Sequence, residues 1–258
     1  MTIAALAVAF FITALLYSSV GFGGGSTYNA LLALSLADIS TVPVVALACN
    51  ILVVAIGSWR FVCGGHVEWQ RFWPLAILSV PAALVGGLLP VPAWLFVGLL
   101  ALALALSGLL MLWQPLWRRK SNRPAQGSGR TADLASGAAL GLLAGITGIG
   151  GGIYLSPLLH LRRWASSKTI AGTCAAFILV NSIGGLAGQL LKSGSRATLD
   201  VILASWPLFP AVVLGGLVGS TLGSLKLNND ILRILTAFLV LYVAVRLGVR
   251  FPGDWANR

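Results

Sequence analysis

Apolar residues run along this chain in long unbroken blocks, without the alternation of a half-buried strand or the striped spacing of an amphipathic helix. Segments 2–37, 39–59, 72–117 and 134–159 contain no Asp, Glu, Lys, Arg or His, and a bilayer-crossing helix needs about 20 such residues. The blocks predict an all-α polytopic membrane bundle with about four to eight crossings. Helical segments are expected near 3–20, 42–59, 72–89, 93–113, 134–147, 168–191, 201–223 and 231–249, with shorter apolar pieces near 26–37 and 153–161. The block from Thr2 to Tyr17 has the length of a secretory signal's apolar region, but no basic residue precedes it and no clean small-x-small site follows; it is read as a retained helix.

The order of the blocks contains a repeat, which takes precedence over element-by-element reading. Gly21-Phe22-Gly23-Gly24-Gly25 returns as Gly148-Ile149-Gly150-Gly151-Gly152, an offset of 127. Asn50 and Gly57 match Asn181 and Gly188 at 131, and Pro81, Gly86 and Gly87 match Pro210, Gly215 and Gly216 at 129. Three ordered matches at nearly constant spacing indicate two homologous halves, 1–113 and 134–258, of about four helices each. Residues 114–133 form the linker, in which Arg118, Arg119, Lys120, Arg123 and Arg130 stand among Ser, Asn, Gly and Pro. By the positive-inside rule this flexible basic loop is expected in the cytoplasm.

Charge leaves the number of crossings open. With eight successive crossings, 12 of the 17 basic residues fall inside; with each glycine-broken unit as a re-entrant hairpin and the halves inverted, the division is again 12 to 5. The net charge of +11 does not gather on one face, so topology explains it better than nucleic acid does. Nine tryptophans, among them Trp59, Trp69, Trp73, Trp94, Trp113, Trp117, Trp164 and Trp206 near predicted helix ends, read as interfacial anchors. Cys49, Cys63 and Cys174 have neither disulfide nor C-x-x-C spacing.

Candidate chemistry concentrates at the glycine clusters. Each glycine costs about 1 kcal/mol relative to alanine within a helix, so three in a row break it. Backbone freed at membrane depth is tolerated where it lines a cavity or is held by protein, and paired breaks in two halves point to a binding site. The helix restarting after each break offers unpaired N–H groups and a positive dipole end, which suit a small oxyanion. The candidate substrate-binding residues are Gly23, Gly24, Gly25, Ser26 and Thr27 in the first half and Gly150, Gly151, Gly152 and Tyr154 in the second, with Tyr28 and Ser156 as further donors. Asn50 and Asn181, amides inside apolar helices, are expected to face inward and either satisfy a broken helix or touch substrate; Gln189 is a weaker candidate. Close packing is the alternative reading of the glycines and the better one for Gly215, Gly219 and Gly223.

Other chemistries find little support. Ser26 and Ile153 stand where Gly-x-Gly-x-x-Gly needs its last glycine, and no Lys-Ser/Thr follows, which argues against nucleotide binding. Asp38, Glu68, Asp133, Asp200, Asp230 and Asp254 fall in predicted loops, helix ends or tails, Asp200 and Asp230 reading as N-caps. His66 and His160 are placed in loops without metal-ligand spacing. No proton relay, metal, cofactor or hydrolase is indicated, and the chain is not read as an enzyme.

The segments Ser19-Val20-Gly21-Phe22-Gly23-Gly24-Gly25-Ser26 and Gly145-Ile146-Thr147-Gly148-Ile149-Gly150-Gly151-Gly152, together with the duplicated helices and basic central loop, resemble the sulfite exporter TauE/SafE family over essentially the whole chain. The resemblance implies a bacterial inner-membrane permease for sulfur-containing anions such as sulfite or sulfonates. The leading expectation is a secondary transporter that moves a small anion by alternating access, with the lipid bilayer and its substrate as partners and no nucleic acid. A non-transporting membrane scaffold and a passive anion channel are the alternatives.

Overall fold

The computed structural model describes residues 2–19, 21–35, 41–118, 129–162, 164–193, 200 and 202–224, with scattered positions from 234 to 249. Among these residues the fold is all-helical: α1 (Ile3–Ser19), α2 (Gly25–Ser35), α3 (Val42–Cys63), α4 (Trp69–Leu88), α5 (Ala93–Arg118), α6 (Arg130–Thr147), α7 (Gly152–Leu161), α8 (Ser167–Ser193) and α9 (Leu208–Ser224). Among the described residues three helices, Val42–Cys63, Trp69–Leu88 and Lys168–Lys192, are long and apolar enough to cross a bilayer; Ile3–Ser19, Trp94–Leu110 and Leu208–Leu222 are shorter apolar helices. Most of the segment expected at 231–249, the linker core 119–128, and Asp38, Asp230 and Asp254 lie outside the described residues.

Several helices outrun their apolar blocks. Helix α3 continues through Arg60 to Cys63 and stops where Gly64 and Gly65 follow, Gly65 at φ +67°, a conformation that ends helices at little cost only for glycine. Both flanks of the expected linker are helical: α5 includes 114–118 and α6 begins at Arg130. His160, expected in a loop, lies in α7. The segment expected at 201–223 is instead interrupted at 205–207, where the Ser205 and Trp206 amides donate to carbonyls three residues back. Pro207 has no N–H to donate a hydrogen bond there, and its fixed φ suits the start of a new helix.

Glycine sets how closely the helices meet. Gly137, Gly141 and Gly145 of α6 lie on the Leu75, Ser79 and Ala83 carbonyls of α4, leaving no room for a Cβ. Gly215 and Gly219 of α9 sit in the same way on the Phe11 and Leu15 carbonyls of α1, the packing role expected for them. Lipid supplies no hydrophobic drive between helices, so backbone approach and dispersion must hold them. Leucine, isoleucine and valine side chains such as Ile12, Ile77, Leu102, Leu106, Leu214 and Val218 cover the outside.

These contacts fix the helix directions. Helices α4, α6 and α8 run parallel, with Ser79 level with Gly141 and bonded to Asn181. Helix α3 runs against α8, with Asn50 bonded to Ser182 and Phe61 near Gly172. Helix α1 follows α3 and α9 follows α1. One end of the bundle therefore gathers Arg60, Arg71, Arg130, Arg162 and Lys168; the other carries the C-terminus of α4, where Lys192 donates to the Leu89 carbonyl at 3.3 Å.

At the basic end, Arg162 after α7 meets Asp133 in the first turn of α6 at 3.3 Å. Arg71 donates to the Trp164 carbonyl at 2.6 Å and its guanidinium lies 5.4 Å from the Trp164 ring centre. Trp164, expected as an interfacial anchor, is only 1% exposed; this contact, and packing against α7 and α8, draw it inside. Trp59, Trp69, Trp73 and Trp206 are exposed.

Candidate functional site

Two hairpins enter the bundle from opposite ends and meet at Asn50. Helix α1 runs about 25 Å by its length toward the basic end, where Gly21 lies against Phe61 and Ala171. The chain then doubles back, so that α2 starts beside Asn50 and returns the way α1 came. Helix α6 leaves the basic end, turns at Gly148, and α7 returns to bring Arg162 back to Asp133. Left-handed glycines make both reversals, among them Gly24 at φ +85° and Gly150 and Gly151 at +80° and +78°. Any side chain at these positions would be strained.

Asn50 holds the breaks together. Its Oδ1 accepts the Gly25 N–H at 3.1 Å, capping α2, and its Nδ2 donates to Ser182 Oγ of α8 at 2.8 Å. A Cβ built on Gly150 would stand 2.8 Å from Asn50 Nδ2 and 2.7 Å from Ser182 Oγ, and one on Gly25 would stand 3.0 Å from the Ile149 carbonyl. The two breaks are thus in van der Waals contact. Asn29, which sequence reasoning did not single out, bridges them, donating to the Gly25 carbonyl at 2.9 Å and the Gly148 carbonyl at 2.8 Å.

The hydroxyls form a second layer. Tyr17 shares hydrogen bonds with Ser26 Oγ at 3.2 Å and Thr27 Oγ1 at 2.8 Å. Tyr28 stacks on Phe10 at 4.6 Å between ring centres, and its hydroxyl lies over Gly24 with no hydrogen-bond partner among the described residues. The Gly25 N–H is taken by Asn50, but those of Ser26 and Thr27, and of Gly152 and Ile153 at the start of α7, find no acceptor among the described residues. Such N–H groups, at the positive ends of two helix dipoles, are donors for an anion. Gly23 to Thr27, Asn29, Asn50, Gly150 to Ile153 and Ser182 are all buried, and Tyr154 is half-buried.

Of the sequence candidates, Gly23, Gly24, Gly25, Ser26, Thr27, Asn50 and Gly150 come together here. Gly151 and Gly152 pack on Phe177 and Ile178 of α8. Asn181 does not join them: its Oδ1 accepts from Ser79 of α4 at 2.8 Å and its Nδ2 donates to its own helix at Phe177. The α3 residues against Gly23 are Asn50 and Val54; the α8 residues against Gly150 include Ile178 and Ser182, a constant separation of 128 (178 less 50, 182 less 54). By contact, Asn50 therefore pairs with Ile178, and the polar group on α8 facing the breaks is Ser182. Sequence reasoning missed Ser182, Asn29, Tyr17 and Ser79. A break-centred offset near 127 would have brought position 182 opposite α3, whereas matching Asn50 to Asn181 drew attention one residue away.

Comparison with known proteins identifies the family. The family described as "Sulfite exporter TauE/SafE" matches residues 5–247. A "Probable membrane transporter protein" of Sinorhizobium fredii (strain NBRC 101917 / NGR234) is 35% identical over 250 residues, covering 94% of this chain and 96% of that one. A "Probable membrane transporter protein" of Methanocaldococcus jannaschii is 26% identical over 232 residues, covering 86% and 84%. No solved structure matches. With a family match from near one end of the chain to near the other, this protein is a member of the sulfite exporter TauE/SafE family of membrane transporters.

Proposed function

We propose that the protein is a secondary transporter for small anions, with sulfur-containing oxyanions such as sulfite or organosulfonates as the substrate class, working by alternating access about the site between the two breaks. The observation that carries this reading is the meeting of the two glycine breaks at Asn50, each leading into a helix N-terminus, with the Ser26, Thr27, Gly152 and Ile153 N–H groups unpaired among the described residues. The family description supports a sulfur oxyanion as substrate, and the names of the relatives support membrane transport without specifying what is carried. The opposed directions of the hairpins support an inverted duplication, with about three full crossings and one re-entrant unit per half. Because the basic end carries Arg60, Arg71, Arg130, Arg162 and Lys168, it is assigned to the cytoplasm together with the central loop, and the protein to the inner membrane. Burial of the breaks corresponds to an occluded arrangement, which rocking of the hairpins would open to either side.

Flux measurements in proteoliposomes with sulfite, thiosulfate, organosulfonates and carboxylates test this. Saturable movement of at least one sulfur oxyanion is expected. Folded protein that moves none of these anions would overturn the reading.

A further inference from the structure

We infer that the site between the breaks accepts its anion as a monoanion that also donates a hydrogen bond, a hydrogen-oxyanion, and rejects the corresponding dianion. The inference rests on the transport reading above and adds the protonation state that is carried. Each helix N-terminus presents about half a positive charge, so α2 and α7 together offer about one unit. No Lys, Arg or His among the described residues lies at the breaks to supplement it: Arg162 is held by Asp133 at the base of the second hairpin, and Arg71 lies with Glu68 and Trp164 at the start of α4. A dianion would retain roughly one uncompensated charge in a buried, low-dielectric setting, where unpaired charge is strongly disfavoured.

A second, independent observation concerns hydrogen-bond polarity. Both amide hydrogens of Asn29 are used in joining Gly25 to Gly148, while its Oδ1, fully buried, accepts nothing from the described residues. The Tyr28 hydroxyl beside Gly24 is equally buried and equally bare. A fully deprotonated oxyanion presents acceptors only; it satisfies the N–H groups and Tyr28 but leaves the Asn29 oxygen without a donor. A hydrogen-oxyanion satisfies all three, because its O–H can donate while its oxygens accept. Among the described residues the titratable groups around the breaks are Tyr17 on α1, Tyr28 on α2, Cys49 on α3, Tyr154 on α7 and Cys174 on α8. None is a carboxylate or imidazole, so the proton travels on the substrate.

The test is initial uptake into proteoliposomes held at the same pH on both sides, across the neutral range. The probes are sulfite, whose mono- and dianion interconvert near neutral pH, methanesulfonate, a monoanion without a donor, and sulfate, a dianion throughout. At a fixed low sulfite concentration, uptake is expected to fall about tenfold per pH unit once the dianion predominates; methanesulfonate uptake should be slower and flat with pH, and sulfate should not be carried. Tyr28→Phe should raise the half-saturating sulfite concentration several-fold at an unchanged melting temperature, since the hydroxyl makes no bond to the described residues. Sulfite uptake that is flat or rises with pH, sulfate carried as fast as sulfite, or an unchanged half-saturation in Tyr28→Phe overturns the inference and leaves anion transport standing. Failure to move any of the three removes the transport reading itself.

Discussion

Replacing Asn50 with alanine deletes the acceptor of the Gly25 N–H and the donor to Ser182. The serine hydroxyl can turn to a carbonyl one turn back in α8, as helical serines do. The Gly25 amide has no such recourse, because the first N–H groups of a helix have no partner within it. Leaving it bare in a buried position costs about 1–3 kcal/mol, and the space left by the amide adds a smaller cavity penalty. For a chain of this size each kcal/mol moves the melting point by about 2–4 °C, so Asn50→Ala should melt about 2–12 °C below the wild type in detergent. Asn50→Asp tells the cap from the anion site. A carboxyl oxygen still accepts from Gly25 and the Ser182 hydroxyl can donate to the other, so the fold should be retained, while an ionised group would sit at the two positive helix ends where the anion belongs. Thermal melts and anion flux on the same preparations check both variants. Asn50→Ala that melts with the wild type refutes the capping argument; Asn50→Asp that transports at the wild-type rate refutes the location of the site.

Gly24→Ala and Gly151→Ala each force a side chain into left-handed backbone, against Tyr28 at 3.0 Å and Phe177 at 3.1 Å respectively; each should lose about 1–2 kcal/mol in a melt and lose anion flux beyond what stability explains. For the Asp133–Arg162 pair, a double-mutant cycle of Asp133→Asn with Arg162→Gln should give a coupling of about 0.5–3 kcal/mol, because the carboxylate side chain is only 8% exposed. Additive single mutants would show that the pair does not clamp the hairpin. Lys168→Cys in a Cys63→Ser background should react with a membrane-impermeant maleimide from the same side of the membrane as native Cys63, which is exposed; labelling from opposite sides would refute the hairpin reading of α6 and α7.

How far the sequence could be read depended on which interaction set each feature. The apolar blocks placed most helices because lipid requires continuous apolar length, a property of each segment alone. The glycine triplets announced the breaks for a similarly local reason, since consecutive glycines cannot hold a helix. Helix directions were not legible: Arg162 counts equally well on either side until its contact with Asp133 is known, and charge statistics cannot supply a contact. Trp164 went inside for the same kind of reason, its partner Arg71 being far away in sequence. Among the candidate site residues, Asn50 stood out as an amide in an apolar run. Asn29 and Ser182 did not, because a small polar residue beside a break looks like any other until the opposite break is in view.

The pairing of glycine faces with carbonyl ridges has a consequence for how the two sides of the chain depend on each other. Helix α6 of the second half is seated on α4 of the first, α9 of the second on α1 of the first, and α3 lies along α8. The two sequence halves are therefore interlaced, and a chain severed between 119 and 128 would yield two fragments that each lack the partners their longest helices need. Each side of the central linker thus supplies carbonyls on which glycines of the other side are seated, Gly86 and Gly87 on Leu142 and Gly185 as much as Gly137 and Gly141 on Leu75 and Ser79.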